Sequence, residues 1–171
     1  MNKKSGFLLL VALTACVSCT RVETRAATKF EVVTSDSPES QRFEVGLISK
    51  DDHKLCVDFA DWPNGFGQVH LTSGLAVLVT ESGSVDSNGV SFGYCPGGCR
   101  SVYVVEPSAR LDGFVSYAMF GDPADVARRK ERKLVFDTHA RVCTREDLRN
   151  AVPAEPGSVR SQPGGAGKLV R

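Results

Sequence analysis

From residue 30 onward, apolar and polar positions alternate in short runs. Phe30, Val32 and Thr34 share one face of an extended segment, and Phe43, Val45 and Leu47 share another, with Glu44 and Gly46 between them. A period of two carried by β-branched and aromatic residues predicts strands. Ser35-Asp36-Ser37-Pro38-Glu39-Ser40 supplies the polar turn that joins them. Further runs of this kind fall at 55–59, 68–71, 75–80, 89–94, 101–105, 114–120 and 133–137. Turn formers separate them at Asp51-Asp52-His53-Lys54, Trp62-Pro63-Asn64-Gly65, Asp86-Ser87-Asn88-Gly89 and Pro107-Ser108-Ala109-Arg110. Many short strands with little helix predict a mainly β chain: one antiparallel, immunoglobulin-like β-sandwich domain over 28–147.

A single short helix is expected within it. Asp122 is placed to cap its N-terminus, Pro123 suits the first helical position, and Asp125 lies near the positive end of the dipole. Val126 is its main apolar residue.

The two ends of the chain follow other patterns. Lys3 and Lys4 precede an uncharged apolar run from Phe7 to Ala15, the form of a secretory signal peptide over 1–15. That run is too short to cross a bilayer, which takes about 20 apolar residues. It ends in Leu13-Thr14-Ala15-Cys16. These four residues resemble the lipobox of bacterial lipoproteins: an aliphatic residue, a small residue, Ala or Gly, then Cys. The resemblance covers the signal segment alone. It implies a diacylglyceryl thioether on Cys16, cleavage after Ala15 and acylation of the new N-terminus, with residues 16–27 as a lipidated tether. Two or three acyl chains hold a protein on a membrane where one would not. Cys16-Val17-Ser18-Cys19 offers a competing frame, but cysteine is unusual at its first position. Val17 stands where some Gram-negative lipoproteins carry an inner-membrane retention Asp, so the periplasmic side of the outer membrane is the expected location. The alternative is an ordinary signal cut near Ala15 or Ser18, leaving a soluble periplasmic or secreted protein.

Past Asn150 the composition turns to Pro, Gly and Ser with few apolar residues. Such a stretch cannot bury enough surface to offset its ordering entropy, and 151–171 reads as a disordered tail. Arg160, Lys168 and Arg171 give it a basic cast. A solvated terminus is preferred to contact with anionic envelope polymers.

Charge excludes one class of partner. The chain carries 21 basic and 20 acidic residues, and loss of 1–15 removes only Lys3 and Lys4, leaving 19 against 20. A near-neutral protein lacks the basic face that nucleic acid requires.

Six cysteines fit an exported protein. Apart from Cys16 and Cys19, the domain holds Cys56, Cys95, Cys99 and Cys143, for which three connectivities exist. Cys95-Pro96-Gly97-Gly98-Cys99 is a turn able to bring its own ends together, which favours that pair and leaves Cys56 with Cys143. The second bridge closes a long loop, worth roughly 4 to 5 kcal/mol before strain. Three intervening residues and no βαβ setting argue against a redox motif. His53, His70 and His139 have no metal-pair spacing, so neither a metal nor a cofactor is expected.

Two further constellations have the form of catalytic groups. Gly89-Val90-Ser91-Phe92-Gly93 has the spacing of a hydrolase nucleophile elbow, but turn residues flank it on both sides where a strand and a helix belong. Asp137 lies two residues from His139, on the same face if the strand continues, yet no nucleophile is fixed beside them or beside His70. These histidines read as structural, and no catalytic residue is assigned.

Candidate binding residues remain. Trp62 and Phe66, in Asp61-Trp62-Pro63-Asn64-Gly65-Phe66-Gly67, form an aromatic recognition patch if the loop presents both, although burial of Trp62 is favoured. Arg128, Arg129, Lys130 and Arg132, followed by Lys133, make the densest basic cluster. It suits lipid phosphates or an acidic partner, but a solvated helix end is preferred. The reading is a lipid-anchored envelope binding or assembly module with no enzymatic activity. Its partner is an envelope protein or polymer. The alternatives are a small disulfide-stapled protease inhibitor working through 95–99 and an envelope enzyme whose residues converge only in space.

Overall fold

The structure, a computed structural model, describes residues 28–71, 74–91 and 101–152, with the backbone alone of 159–161. The signal segment, Cys16, Cys19, the tether, Cys95, Cys99 and most of the tail lie outside the described residues.

The alternation at 30–47 forms an antiparallel pair, β1 (Phe30–Ser37) and β2 (Arg42–Ser49), in register from Phe30 opposite Ser49 to Ser37 opposite Arg42. The chain continues through β3 (Leu55–Asp58), β4 (Ala76–Thr80), β5 (Gly83–Asp86), β6 (Val102–Val105) and β7 (Ala109–Ser116). Helix α1 (Pro123–Arg128), β8 (Arg132–Phe136), β9 (Arg141–Val142), α2 (Arg145–Arg149) and β10 (Val159–Ser161) complete it. The strands make three antiparallel sheets, ordered β1-β2-β7-β10, β6-β3-β9 and β5-β4-β8. The protein is therefore mainly β, antiparallel and sandwich-like, with few helices.

Period two decides what the sheets bury. Phe43, Val45 and Leu47 of β2 enter the core opposite Val115, Gly113 and Leu111 of β7. Leu55 and Val57 of β3 meet them with Val105 of β6, and Leu78, Leu134 and Phe136 close the remaining side. Arg42, Glu44, Arg110 and Asp112 stand on the opposite face of the β2–β7 pair, half-exposed and ion-paired as Arg42–Glu44 and Arg110–Asp112. Cys56 and Cys143 are joined, with Cα atoms 5.1 Å apart, tying β3 to the residue after β9. Helix α1 forms as expected: Asp122 accepts the Ala124 N–H at 2.8 Å, and Val126 is buried.

Several elements differ from the sequence reading. β7 begins at Ala109, inside the expected turn, because only Pro107 and Ser108 reverse the chain, with Ser108 at φ 60. It ends at Ser116, whose hydroxyl accepts from Ala118 N and starts a 3-10 turn over Tyr117–Phe120. There Tyr117, Met119 and Phe120 pack inward. The runs at 68–71 and 89–91 make one isolated parallel bridge between His70 and Val90 rather than strands. β5 appears without an apolar run, since the two-residue turn Glu81-Ser82 zips it onto β4 by backbone bonds alone.

The expectation of one helix is also corrected. Thr144 and Asp147 form a reciprocal capping box that starts α2, and the domain continues past 147, where Val152 N donates to Val102 O at 3.0 Å. In the tail expected to be disordered, β10 pairs with Ala109–Leu111 of β7. Main-chain hydrogen bonding on a free sheet edge asks nothing of side-chain hydrophobicity, which composition measures.

Candidate functional site

Trp62 is the root of the most organised surface feature. Its carbonyl neighbour is fixed first: Thr138 Oγ1 donates to Asp61 O at 2.6 Å, joining this segment to the chain beyond β8. The indole then packs edge-on against Phe136, with ring centroids 5.6 Å apart at 84°, and is 2% exposed. Trp62 is a core residue, which removes it from the recognition patch. Covering so large a ring outweighs presenting it.

Above it the chain forms a tight turn built by Asn64. The Asn64 side-chain oxygen accepts from Phe66 N at 2.9 Å and from Gln68 N at 3.0 Å. Its main chain donates to Gln68 O at 3.0 Å and accepts from Gly67 N at 2.8 Å, while Nδ2 donates to Gln68 Oε1 at 3.0 Å. An amide side chain that mimics the backbone two residues ahead is the usual reason for Asn in such turns. Gly67 closes it at φ 71, with its carbonyl accepting from Ser116 N at 2.9 Å. A Cβ there would come within 2.4 Å of the Phe114 ring, so only glycine fits. The Phe114 ring also carries the Arg42 guanidinium 4.7 Å from its centroid.

Phe66 is the result. It is 81% exposed on a turn held by the Asn64 and Gln68 hydrogen bonds and tied to Ser116. Leu71, further along, is 63% exposed, and 62–71 contains no Lys, Arg, Asp or Glu. The sequence identified Phe66 and the Asn64-Gly65 turn but missed the roles of Gln68 and Gly67. The Asn-x-x-Gly-Gln spacing was the available signal.

The basic cluster does not assemble as one face. Arg128 pairs with Asp125 on α1, and Arg129 Nη1 donates to Ser82 Oγ at 2.7 Å. Arg132 turns inward: Nε donates to Asp36 Oδ2 at 2.9 Å, and Nη1 donates to the carbonyls of Ala127 and Arg129. Its role is to close the C-terminal end of α1 and hold it against β1, so Arg132 is corrected from a binding to a structural residue. Tyr117, fully buried, donates its hydroxyl to the same Asp36. Burial, together with that hydrogen bond to the Asp36 carboxylate, pushes the Tyr117 phenol up to about 12. Lys130 and Lys133 remain exposed.

The histidines separate from the partner sequence suggested. β8 stops at Phe136, so Asp137 and His139 do not alternate along a strand. Asp61 is the carboxylate they influence. Burial, and secondarily Asp58, raises its pKa, while His139, Arg141 and His70 act in the opposite direction. Asp58 itself pairs with Arg141 at 2.8 Å, and Arg141 reaches Asp147 at 2.7 Å. Among the described residues no group of His, Cys, Asp or Glu is placed to hold a metal ion. The inhibitor reading rests on 95–99, outside the described residues.

No family model matches this chain, and neither a curated protein nor a solved structure does. Among the described residues no helix is long and apolar enough to cross a membrane.

Proposed function

We propose that the chain is a lipid-anchored binding or assembly module of the bacterial envelope that engages its partner through the Phe66 turn. The observation that carries this reading is the exposure of Phe66, 81%, on a loop locked by Asn64 and Gly67. A rigid aromatic loses little conformational entropy on binding, so its apolar area converts efficiently into affinity. The lack of Lys, Arg, Asp and Glu in 62–71 favours an apolar pocket in the partner over a charged polymer. The lipobox-like Leu13-Thr14-Ala15-Cys16 supports the anchor, which would confine the turn to encounters at the membrane surface.

Site-specific photocrosslinking in cells tests the turn. With p-benzoylphenylalanine at 66, one discrete adduct with an envelope protein is expected, absent when the probe stands at Lys133 and lost when Asn64→Ala is added. Equal adducts from both positions would overturn the reading. The intact mass of the membrane-purified protein tests the anchor separately: cleavage before Cys16 with added acyl chains is expected, and an unmodified N-terminus elsewhere would remove it.

A further inference from the structure

β5 is one edge of its sheet, with no strand paired to its outer side among the described residues, and its backbone shows what faces outward. Ser87 N donates to Ala76 O at 3.1 Å. Bonded and non-bonded pairs alternate along an antiparallel ladder, so Val85 and Gly83 bond inward to Leu78 and Thr80. The N–H and C=O of Ser84 and Asp86 therefore point away from β4, and all four residues of β5 are exposed. Edge strands are commonly guarded by Lys or Pro, and β5 carries neither.

A cavity of about 140 Å³ lies beside this edge, between the β4–β5 hairpin and α1. Leu78, Val85, Phe120 and Val126 give it an apolar lining, to which Asp122 and Asp125 add carboxylates and Arg129 a guanidinium. Its walls are fixed before any ligand arrives. Thr80 Oγ1 donates to Gly83 O at 3.0 Å, Arg129 holds Ser82, and Asn88 N donates to Met119 O at 2.6 Å.

We propose that the β5 edge and this cavity are one docking groove for an extended segment of a partner protein that alternates basic and aliphatic residues. The strand form follows from the spacing: the free groups of Ser84 and Asp86 repeat every second residue, and an added strand satisfies both. An aliphatic side chain follows from the four apolar residues, since a strand beside β5 sets alternate side chains on the face of Leu78 and Val85. The basic residues follow from charge. In the cavity Arg128 neutralises Asp125, and Arg129 shares the lining with Asp122, which caps α1. The free charge is that of Asp86, which alternates with Val85, has no cationic partner among the described residues, and meets the side chains of an added strand that face away from the cavity. The groove uses no residue of the Phe66 turn, so the two sites stand or fall separately.

The test is a ¹⁵N NMR titration of the full mature chain with acetyl-Lys-Val-Lys-Leu-Lys-amide, with the Glu-for-Lys peptide as control. Saturable shifts are expected at the amides of Ser84 and Asp86 and at Val126, with the acidic peptide at least tenfold weaker. Ser84→Pro removes an outward donor and no internal bond, and should weaken binding at least tenfold. Asp86→Asn, which leaves the backbone intact, should weaken the basic peptide alone. No shift at Ser84 and Asp86 up to millimolar peptide, or equal binding of both peptides, would overturn the proposal. So would unchanged affinity in both variants, or a dimer by analytical ultracentrifugation that protects these two amides without peptide.

Discussion

The indole of Trp62 lies directly against Gly113: a Cβ built on that glycine would stand 2.8 Å from Nε1. Gly113 faces Val45 across the β2–β7 ladder, so the sheet leaves a gap one side chain wide and the ring fills it. Phe136 blocks the ring from behind. Gly113→Ala is therefore expected to destabilise the domain by about 1–3 kcal/mol, the usual cost of overpacking. Denaturant unfolding followed by far-ultraviolet circular dichroism reads it. Combining it with Trp62→Phe should cost less than the sum of the two, because the smaller ring makes room.

The Phe66 turn separates local order from global stability. Asn64→Ala removes two side-chain acceptor contacts and one donor contact from a surface loop. The expected loss of stability is about 1–2 kcal/mol. Amide exchange at Phe66 and Gln68 should accelerate far more than in β2. Phe66→Ala should leave the unfolding midpoint within about 0.5 kcal/mol of the parent, as surface changes do. Uniform exchange across the domain in Asn64→Ala would refute the local role.

Tyr117 predicts a basic limit of stability. Its phenol is held protonated, raised from 10.0 to about 12, by burial first and then by its hydrogen bond to Asp36. A group raised in the folded state contributes its full stability below its unfolded value and loses it as pH climbs through the folded one. Stability should therefore fall between about pH 10 and 12, with ultraviolet titration showing one late phenol. Tyr117→Phe should abolish that dependence.

The Cys56–Cys143 bridge spans a sequence separation of 87. Replacing both residues by alanine should cost roughly 4 kcal/mol, mainly by freeing the unfolded chain. The loss is expected in the equilibrium unfolding free energy, with the core unchanged in the near-ultraviolet circular dichroism of Trp62.

Ser49 predicts the opposite sign. It is 1% exposed at the end of β2, and its hydroxyl has no hydrogen-bond partner among the described residues. Ser49→Ala removes a buried, unsatisfied polar atom and should raise stability by about 1 kcal/mol. A loss of that size in thermal unfolding would show that the hydroxyl is paired.

What the sequence determined by itself was what depends on near neighbours along the chain. Period two at 30–47 placed β1 and β2, and the Asp122-Pro123 pair placed α1, whereas Cys56 was left to Cys143 only by elimination, a bridge that the fold closes. Thr144 and Asp147 carry a capping signal of the same local kind. Tertiary structure decided what depends on partners distant in the chain. Arg132 belongs to the basic cluster by position, yet Asp36 lies 96 residues away and draws it into the frame. Trp62 is sealed by Gly113 and Phe136, which no local pattern connects to it. β5 and β10 form because a sheet edge offers unpaired backbone groups, whatever side chains arrive. Burial and edge pairing belong to the assembled surface, so composition and periodicity could not report them.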